Sequence, residues 1–125
     1  MQIIDKFMML QVAVTDMPKA KKFYVDKLGL KVAMDYRKDD NNWWTALTLP
    51  AGGVTITLTT HHAHMKPGTM TLYFATSDIA AANKELSKKG IGVSKVQDDL
   101  HGPGSGVKWF NFKDSEGNLI HIEQA

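Results

Sequence analysis

Hydrophobic and polar residues alternate along several short segments of the chain, and this period-two pattern predicts β-strands. The clearest segment covers residues 54–60, where Val54, Ile56 and Leu58 alternate with threonines. The same pattern predicts strands at residues 10–14, 31–36, 43–49, 71–75, 91–96, 107–112 and 118–123. Eight strands are therefore expected, with a polar turn or loop at residues 37–42 and a glycine-rich polar loop at residues 97–106.

Two other segments show the 3.6-residue period of an amphipathic helix. The first predicted helix lies near residues 17–28, after Asp16 as N-cap. The second lies near residues 78–89, after Asp78 as N-cap. Their apolar stripes are Ala20, Phe23, Tyr24 and Leu28 in the first helix, and Ile79, Ala82 and Leu86 in the second.

The order strand, helix, strand, strand, strand occurs twice, which indicates an internal repeat. Asp16 and Ala20 correspond to Asp78 and Ala82 at an offset of 62 residues. We therefore expect an α+β fold, in which one domain of 125 residues contains two βαβββ modules. Module 1 covers about residues 1–62 and module 2 about residues 69–125. An unrelated α+β meander is the alternative.

Composition narrows the class of protein. A hydrophobic fraction of 43% with 22% charged residues is typical of a globular chain. No apolar run approaches the roughly 20 residues of a membrane span, and the segment around Asp5 does not have the pattern of a signal peptide. The absence of cysteine excludes disulfides, thiolate metal sites and a cysteine nucleophile. A cytoplasmic protein that needs no membrane is expected.

Charge is mildly basic, with a formal net charge of +2. Lys19, Lys21, Lys22 and Lys27 crowd one segment, but they alternate with apolar helix positions and so predict a solvated helix face. No nucleic-acid partner is expected, because such proteins concentrate basic residues in one stripe. A basic protein also suits a neutral, aromatic or anionic ligand better than a cationic one.

Several short motifs of the two modules occur together in one known family of proteins. They are Val12-Ala13-Val14-Thr15-Asp16, Ala20, Phe23-Tyr24, Leu28-Gly29-Leu30 and the closing hairpin Asp114-Ser115-Glu116-Gly117-Asn118-Leu119-Ile120. With the repeated module, they resemble the vicinal oxygen chelate superfamily, also called the glyoxalase/bleomycin resistance/dioxygenase family. The resemblance implies half-barrel sheets around a cleft. It also implies a homodimer whose interface includes the strand beginning at Met1 and the segment between the modules.

The resemblance also implies a divalent metal held by one residue on each of four strands. Those positions are Met9, Thr57, Thr71 and His121. Only His121 is a usual ligand, whereas a catalytic zinc site typically has three protein ligands. We therefore expect no metal cofactor. The alternative is a site for zinc, nickel, manganese or iron made by His61, His121 and Glu123.

Strand alternation predicts which side chains line the cleft. They are Gln11, Thr57, Thr59, His61, Tyr73, His121 and Glu123. Trp43 and Trp44 are adjacent on one strand, so only one of them can face the cleft, and Trp109 follows a glycine-rich loop. Aromatic faces suit a planar organic ligand, although core or dimer packing is an equal alternative.

Two histidine features are candidates for chemistry. His121 and Glu123 lie two residues apart on one strand face, where they could form a general acid–base pair or a structural hydrogen bond. His62 and His64 have a spacing that could share an ion, or they lie in a polar linker between the modules.

Two classes of function follow. The first is a binding protein that holds a small organic molecule without a metal. The second is a metal-dependent lyase, dioxygenase or isomerase that uses His121, Glu123 and His61. The shortage of metal ligands favours the first class.

Overall fold

The first sheet belongs to the compact unit Met1–Pro67 of the computed structural model, which describes residues 1–62 and 64–125. Its elements are β1 (Met9–Ala13), α1 (Met17–Lys21), a π-helical segment (Lys22–Lys27), β2 (Lys31–Asp39), β3 (Asn42–Thr48) and β4 (Thr55–Thr59). The strand order is β1-β4-β3-β2. β1 runs parallel to β4, whereas the other neighbours are antiparallel.

The second sheet belongs to the unit Gly68–Ala125. Its elements are β5 (Thr71–Thr76), α2 (Ile79–Lys88), β6 (Trp109–Lys113) and β7 (Leu119–Gln124). The strand order is β5-β7-β6, with β5 parallel to β7 and β6 antiparallel to it. In both units the first strand pairs in parallel with the last, so the α+β fold of two βαβββ-like modules is confirmed.

Each sheet buries the apolar side of its alternation. Val12, Leu47 and Leu58 are fully buried in the first unit, as are Phe110 and Ile120 in the second. The predicted N-caps are confirmed, because the carboxylates of Asp16 and Asp78 accept backbone N–H groups of Lys19 and Ala81 at 3.0 Å. Both helices thus begin where the sequence placed them.

The first helix is not α-helical throughout. The N–H of Leu28 donates to the carbonyl of Phe23, five residues earlier, as in a π-helix. The adjacent side chains of Phe23 and Tyr24 are both buried in this turn, with ring centroids 5.5 Å apart. The helix predicted near residues 17–28 is therefore confirmed, with an α-helical first part and a π-helical second part.

Two strand predictions were wrong. Residues 91–96 form no strand, so the described chain has seven strands rather than eight. The hydroxyl of Ser94 accepts the N–H of Asn111 at 2.9 Å in place of a backbone acceptor, while the N–H of Ser94 donates to the carbonyl of Asn111 at 2.9 Å. This mixed pairing and the isolated bridge Gln97–Trp109 do not build a regular strand beside β6. The strand expected at Met1 begins at Met9, which lies opposite the first residue of β4.

The turn or loop predicted at residues 37–42 is a tight hairpin turn, because β2 continues to Asp39 and β3 begins at Asn42. The Asp39 carboxylate accepts the N–H of Asn41 at 2.8 Å and the side-chain amide of Asn42 at 3.2 Å. These bonds close the turn within two residues, and polar composition alone does not reveal them.

Candidate functional site

One face of the second sheet carries four of the predicted site residues. On β7, His121 lies between Tyr73 of β5 and Asn111 of β6, and Glu123 lies beside Trp109 of β6. Ile120 and Ile122 point to the opposite face and are buried. We call the exposed side, defined by Tyr73, Trp109, His121 and Glu123, the His121 face.

Three rings form a cluster on the His121 face. The imidazole of His121 stacks on the ring of Tyr73, with centroids 4.6 Å apart and planes 8° from parallel. The indole of Trp109 lies 5.5 Å from the same imidazole at 46°. Tyr73 remains 58% exposed. Stacked rings with an open edge provide a surface for another planar group.

His121 also carries an unpaired polar atom. Its Nδ1 is buried and has no hydrogen-bond partner among the residues that the structure describes. Most buried polar atoms are paired, so such an atom marks a place where a ligand or water can complete the bonding. Within the same described residues, His121 forms no hydrogen bond with Glu123. The Glu123 carboxylate instead lies 4.0 Å from Nε2 of His101.

The glycine-rich loop at residues 97–106 contacts the His121 face through polar groups. The indole N–H of Trp109 donates to Asp99 Oδ1 at 3.0 Å, and Gln97 pairs with Trp109 through two backbone hydrogen bonds of 2.8 Å. Sequence reasoning did not include Asp99, because nothing in the local pattern links it to a tryptophan ten residues later. The loop therefore brings a carboxylate and His101 to the edge of the His121 face.

One face of the first sheet carries the other predicted residues. Gln11 of β1 lies beside Thr57 of β4, and Thr59 lies beside Trp44 of β3. Gln11 is exposed and Trp44 is 38% exposed, with Tyr36 5.9 Å from its ring. We call this side, defined by Gln11, Trp44, Thr57 and Thr59, the Gln11 face.

The two threonines are buried beneath that surface. Thr57 and Thr59 are 3% and 0% exposed. The hydroxyl of Thr57 lies 3.4 Å from Sδ of Met9, and the hydroxyl of Thr59 accepts the N–H of His61 at 3.0 Å. β4 ends at Thr59, so His61 lies beyond the strand, where its side chain is exposed and strand parity no longer sets its direction.

Trp43 lies on the opposite, helix-bearing side of the first sheet. Its indole N–H donates to Asp35 at 2.6 Å, and the Arg37 guanidinium lies 4.2 Å from its ring centroid. Partial burial raises the pKa of Asp35, but hydrogen bonds from Lys21 and Trp43 and the charge of Lys21 outweigh it and hold that pKa below 3.8. Of the two adjacent tryptophans, Trp44 therefore shares the Gln11 face.

Two surface cavities flank Trp43. One, of about 360 Å³, is bounded by Asp16, Arg37 and Asp40. The other, of about 350 Å³, lies along the first helix beside Lys21 and Lys22. Both lie on the helix side of the sheet and neither belongs to the Gln11 face.

The residues do not fit the metal that the family resemblance implies. Among residues 1–62 and 64–125 there is no group of three histidine, cysteine, aspartate or glutamate residues placed to hold an ion. Thr57, at one implied ligand position, is buried against methionine sulfur. In the histidine-rich segment, His62 is half-buried and His64 exposed, while residue 63 lies outside the described residues.

The chain matches a known protein family over almost its whole length. The family model of the Glyoxalase/Bleomycin resistance protein/Dioxygenase superfamily matches residues 4–122. The chain belongs to this superfamily. No curated protein matches it. No helix in the described part of the chain is long and apolar enough to cross a membrane.

Several solved structures share the fold. TnmS3, an antibiotic binding protein from Streptomyces sp. CB03234, is 25% identical, with a TM-score of 0.84 over 99% of this chain and 98% of that one. A glyoxalase/bleomycin resistance protein from the same organism is also 25% identical, with a TM-score of 0.77 over 95% and 100%. A superfamily member from Sphaerobacter thermophilus DSM 20745, at 24% identity and TM-score 0.81 over 98% of both chains, shows the fold alone.

Proposed function

We propose that this protein binds a small organic molecule with a planar aromatic part on its His121 face, without a metal. The observation that carries the proposal is the ring cluster of Tyr73, His121 and Trp109, whose tyrosine is 58% exposed. A planar ligand extends the stack, while the Glu123 carboxylate offers a polar contact at its edge. The similarity to an antibiotic binding protein supports a binding role.

Charge refines the ligand class. The net charge of +2 disfavours a cationic ligand, but Asp99 and Glu123 place two carboxylates around Trp109. A neutral aromatic molecule satisfies both conditions better than an anion. Gln11 and Trp44, on the Gln11 face of the first unit, stay predicted ligand contacts of that unit, with Thr57 and Thr59 as the buried support of the face.

Tryptophan fluorescence tests this proposal, with 1-naphthol and 2-naphthoate as neutral and anionic probes. We expect saturable quenching that favours 1-naphthol, and at least about tenfold weaker binding when Trp109→Ala and His121→Ala are combined, as for loss of central contacts. His64→Ala is the matched control, because His64 is exposed and is not part of the His121 face. Unchanged affinity in the double variant, or a loss in the control, places the ligand elsewhere.

The buried, unpaired Nδ1 of His121 also favours a second candidate, an enzyme that uses His121 with Glu123. Metal content separates the two. We expect elemental analysis of untagged protein, followed by titration with zinc, nickel and manganese, to find no stoichiometric metal, because tight binding needs several ligands fixed together. Stoichiometric metal that is lost in His121→Ala but retained in His62→Ala/His64→Ala supports the enzyme instead.

We further propose that the protein acts as a homodimer. Apolar side chains stay exposed at residues 1–9 and along β2, among them Ile3, Phe7, Met34 and Tyr36, each at least 50% exposed. Exposed apolar surface of this extent is typical of an interaction site.

The lack of cysteine is compatible with the cytoplasm as the location of the protein.

A further inference from the structure

The lysine-rich first helix has a surface feature that ligand binding on the His121 face does not use. Residues 15–31 contain five lysines and two aspartates, and the whole unit Met1–Pro67 contains nine basic and six acidic side chains. Gly68–Ala125, by contrast, contains six basic and seven acidic side chains. The positive charge of the protein is therefore concentrated on the unit that carries this helix.

Beside the helix lies the cavity of about 350 Å³. Its apolar lining consists of Pro18, Val25, Val32 and Trp43, and its cationic lining of Lys21 and Lys22. A volume near 300 Å³ is at the lower end of the range for small-molecule sites. Val32 is 44% exposed, so apolar surface is open to a ligand here.

The two lysines differ in what they already bind. Lys21 forms an ion pair with Asp35, which also accepts the indole N–H of Trp43. Lys22 is exposed, and no ion pair of its ammonium group occurs among residues 1–62 and 64–125. Lys22 is thus a cation available at the rim, while the Lys21–Asp35–Trp43 group fixes the wall of the cavity. Asp26 is the one carboxylate in the lining.

The neighbouring cavity does not offer the same chemistry. Its cation, Arg37, is paired with Asp40, and Asp16 adds a second carboxylate to its lining. The charges there are balanced or negative. Of these two cavities, the one along the helix combines apolar walls with the ammonium group of Lys22, which forms no ion pair among residues 1–62 and 64–125.

We infer that this cavity is a second binding site, for a small aromatic anion such as an aryl carboxylate or sulfonate. The ring lies against Val25, Val32 and the Trp43 indole, and the anionic group lies toward Lys22. Apolar contact and opposite charge then act at the two ends of one molecule. The site shares no residue with the His121 face, because all of its lining residues belong to the unit Met1–Pro67.

The test follows 1-naphthalenesulfonate by NMR through the indole N–H signals of the three tryptophans. We expect a saturable shift of the Trp43 signal, which Trp43→Phe identifies by removing it, while the signals of Trp44 and Trp109 move little. The neutral 1-naphthalenesulfonamide has the same ring and should bind more weakly, because it lacks the charge.

Two charge reversals on the same helix sharpen the test. Lys22→Glu should weaken sulfonate binding about fivefold or more, as expected when one partly screened charge contact is reversed. Lys19→Glu is the matched control, since Lys19 is exposed on α1 but does not line the cavity. Equal losses in both variants show a diffuse field rather than a site and overturn the inference. It is equally overturned if the Trp43 shift does not saturate, or if Trp44 or Trp109 responds in its place.

Discussion

At the scale of single residues, a buried polar pair sets the position of the His121 face. The carboxylate of Asp114 accepts the N–H groups of Glu116 and Asn118 at 2.9 Å and the side-chain amide of Asn118 at 2.8 Å. Asn118 in turn accepts the N–H of Met70 at 2.9 Å, just before β5. The turn is therefore tied to both neighbours of β7, and this fixes the register that puts His121 beside Tyr73.

Removal of the Asp114 carboxylate leaves three donors without their acceptor in a buried turn. We expect Asp114→Ala to lower the free energy of unfolding by about 2–4 kcal/mol, because unpaired buried polar groups and lost bonds to a charged group both cost stability. Denaturant unfolding measures it. Lys113→Ala, an adjacent exposed position, should change stability by less than about 0.5 kcal/mol. Equal effects would contradict this role of the turn.

Contacts between residues that are distant in the chain could not be predicted from the sequence. Alternation places Tyr73, His121 and Glu123 on one face, because a period of two is a local property of a strand. The stacking of Tyr73 on His121 and the bond from Trp109 to Asp99 depend on which strands and loops become neighbours. The glycine at position 68 is another such case, since an added Cβ would lie 2.4 Å from the carbonyl oxygen of Glu116.

At the scale of elements, a polar cluster joins the first helix to its sheet. Oδ2 of Asp35 on β2 accepts a bond from Lys21 of α1, and Oδ1 accepts the indole N–H of Trp43 on β3 and the hydroxyl of Thr45 at 3.3 Å. Together these contacts hold the pKa of Asp35 below 3.8 despite the opposing effect of burial. The cluster therefore stabilises the fold only while Asp35 is ionised.

The sign of the pH effect follows from the lowered pKa. The contribution of Asp35 is complete above its unfolded pKa, near 3.8, and is lost as pH falls through its lower folded pKa. We expect Asp35→Asn to be less stable than the natural chain at pH 6, by no more than about 1 kcal/mol because the pair is partly exposed. The difference should shrink below pH 3.8.

Urea unfolding at a series of pH values measures this difference. Trp43→Phe provides a second measurement, since loss of one donor should raise the pKa of Asp35 in an NMR titration. A stability difference that stays constant from neutral to acidic pH would show that the ionised carboxylate is not the stabilising group.

Elements differed in how well their local pattern predicted them. The caps at Asp16 and Asp78 are local signals, and both are correct. The π-helical turn has no local signal, because the apolar stripe of Ala20, Phe23, Tyr24 and Leu28 has the spacing of an ordinary α-helix. The strand expected at residues 91–96 is absent because the Ser94 side chain occupies a bonding position of the ladder, which alternation does not reveal.

At the scale of the molecule, apolar exposure is concentrated in one unit. Along the Gln11 face and β2, Met9, Met34, Tyr36 and Trp44 are 48%, 52%, 50% and 38% exposed. All nine residues of β2 are exposed, and β2 lies at the edge of its sheet. A long edge strand with apolar side chains is prone to pair with another chain, and natural proteins usually cover such an edge.

A second copy of the chain is the partner we propose for this surface. Sedimentation velocity at micromolar concentration should give a species of twice the 13.9 kDa chain mass. Met34→Glu/Tyr36→Glu should raise the dissociation constant of the dimer at least about tenfold and so favour the monomer. The reason is that charges buried at an interface lose their hydration. Val96→Glu is the matched control, since Val96 is an exposed apolar residue of the other unit, at 38%. A monomer in the natural chain, or dissociation by the control alone, would mean that this surface has a different partner.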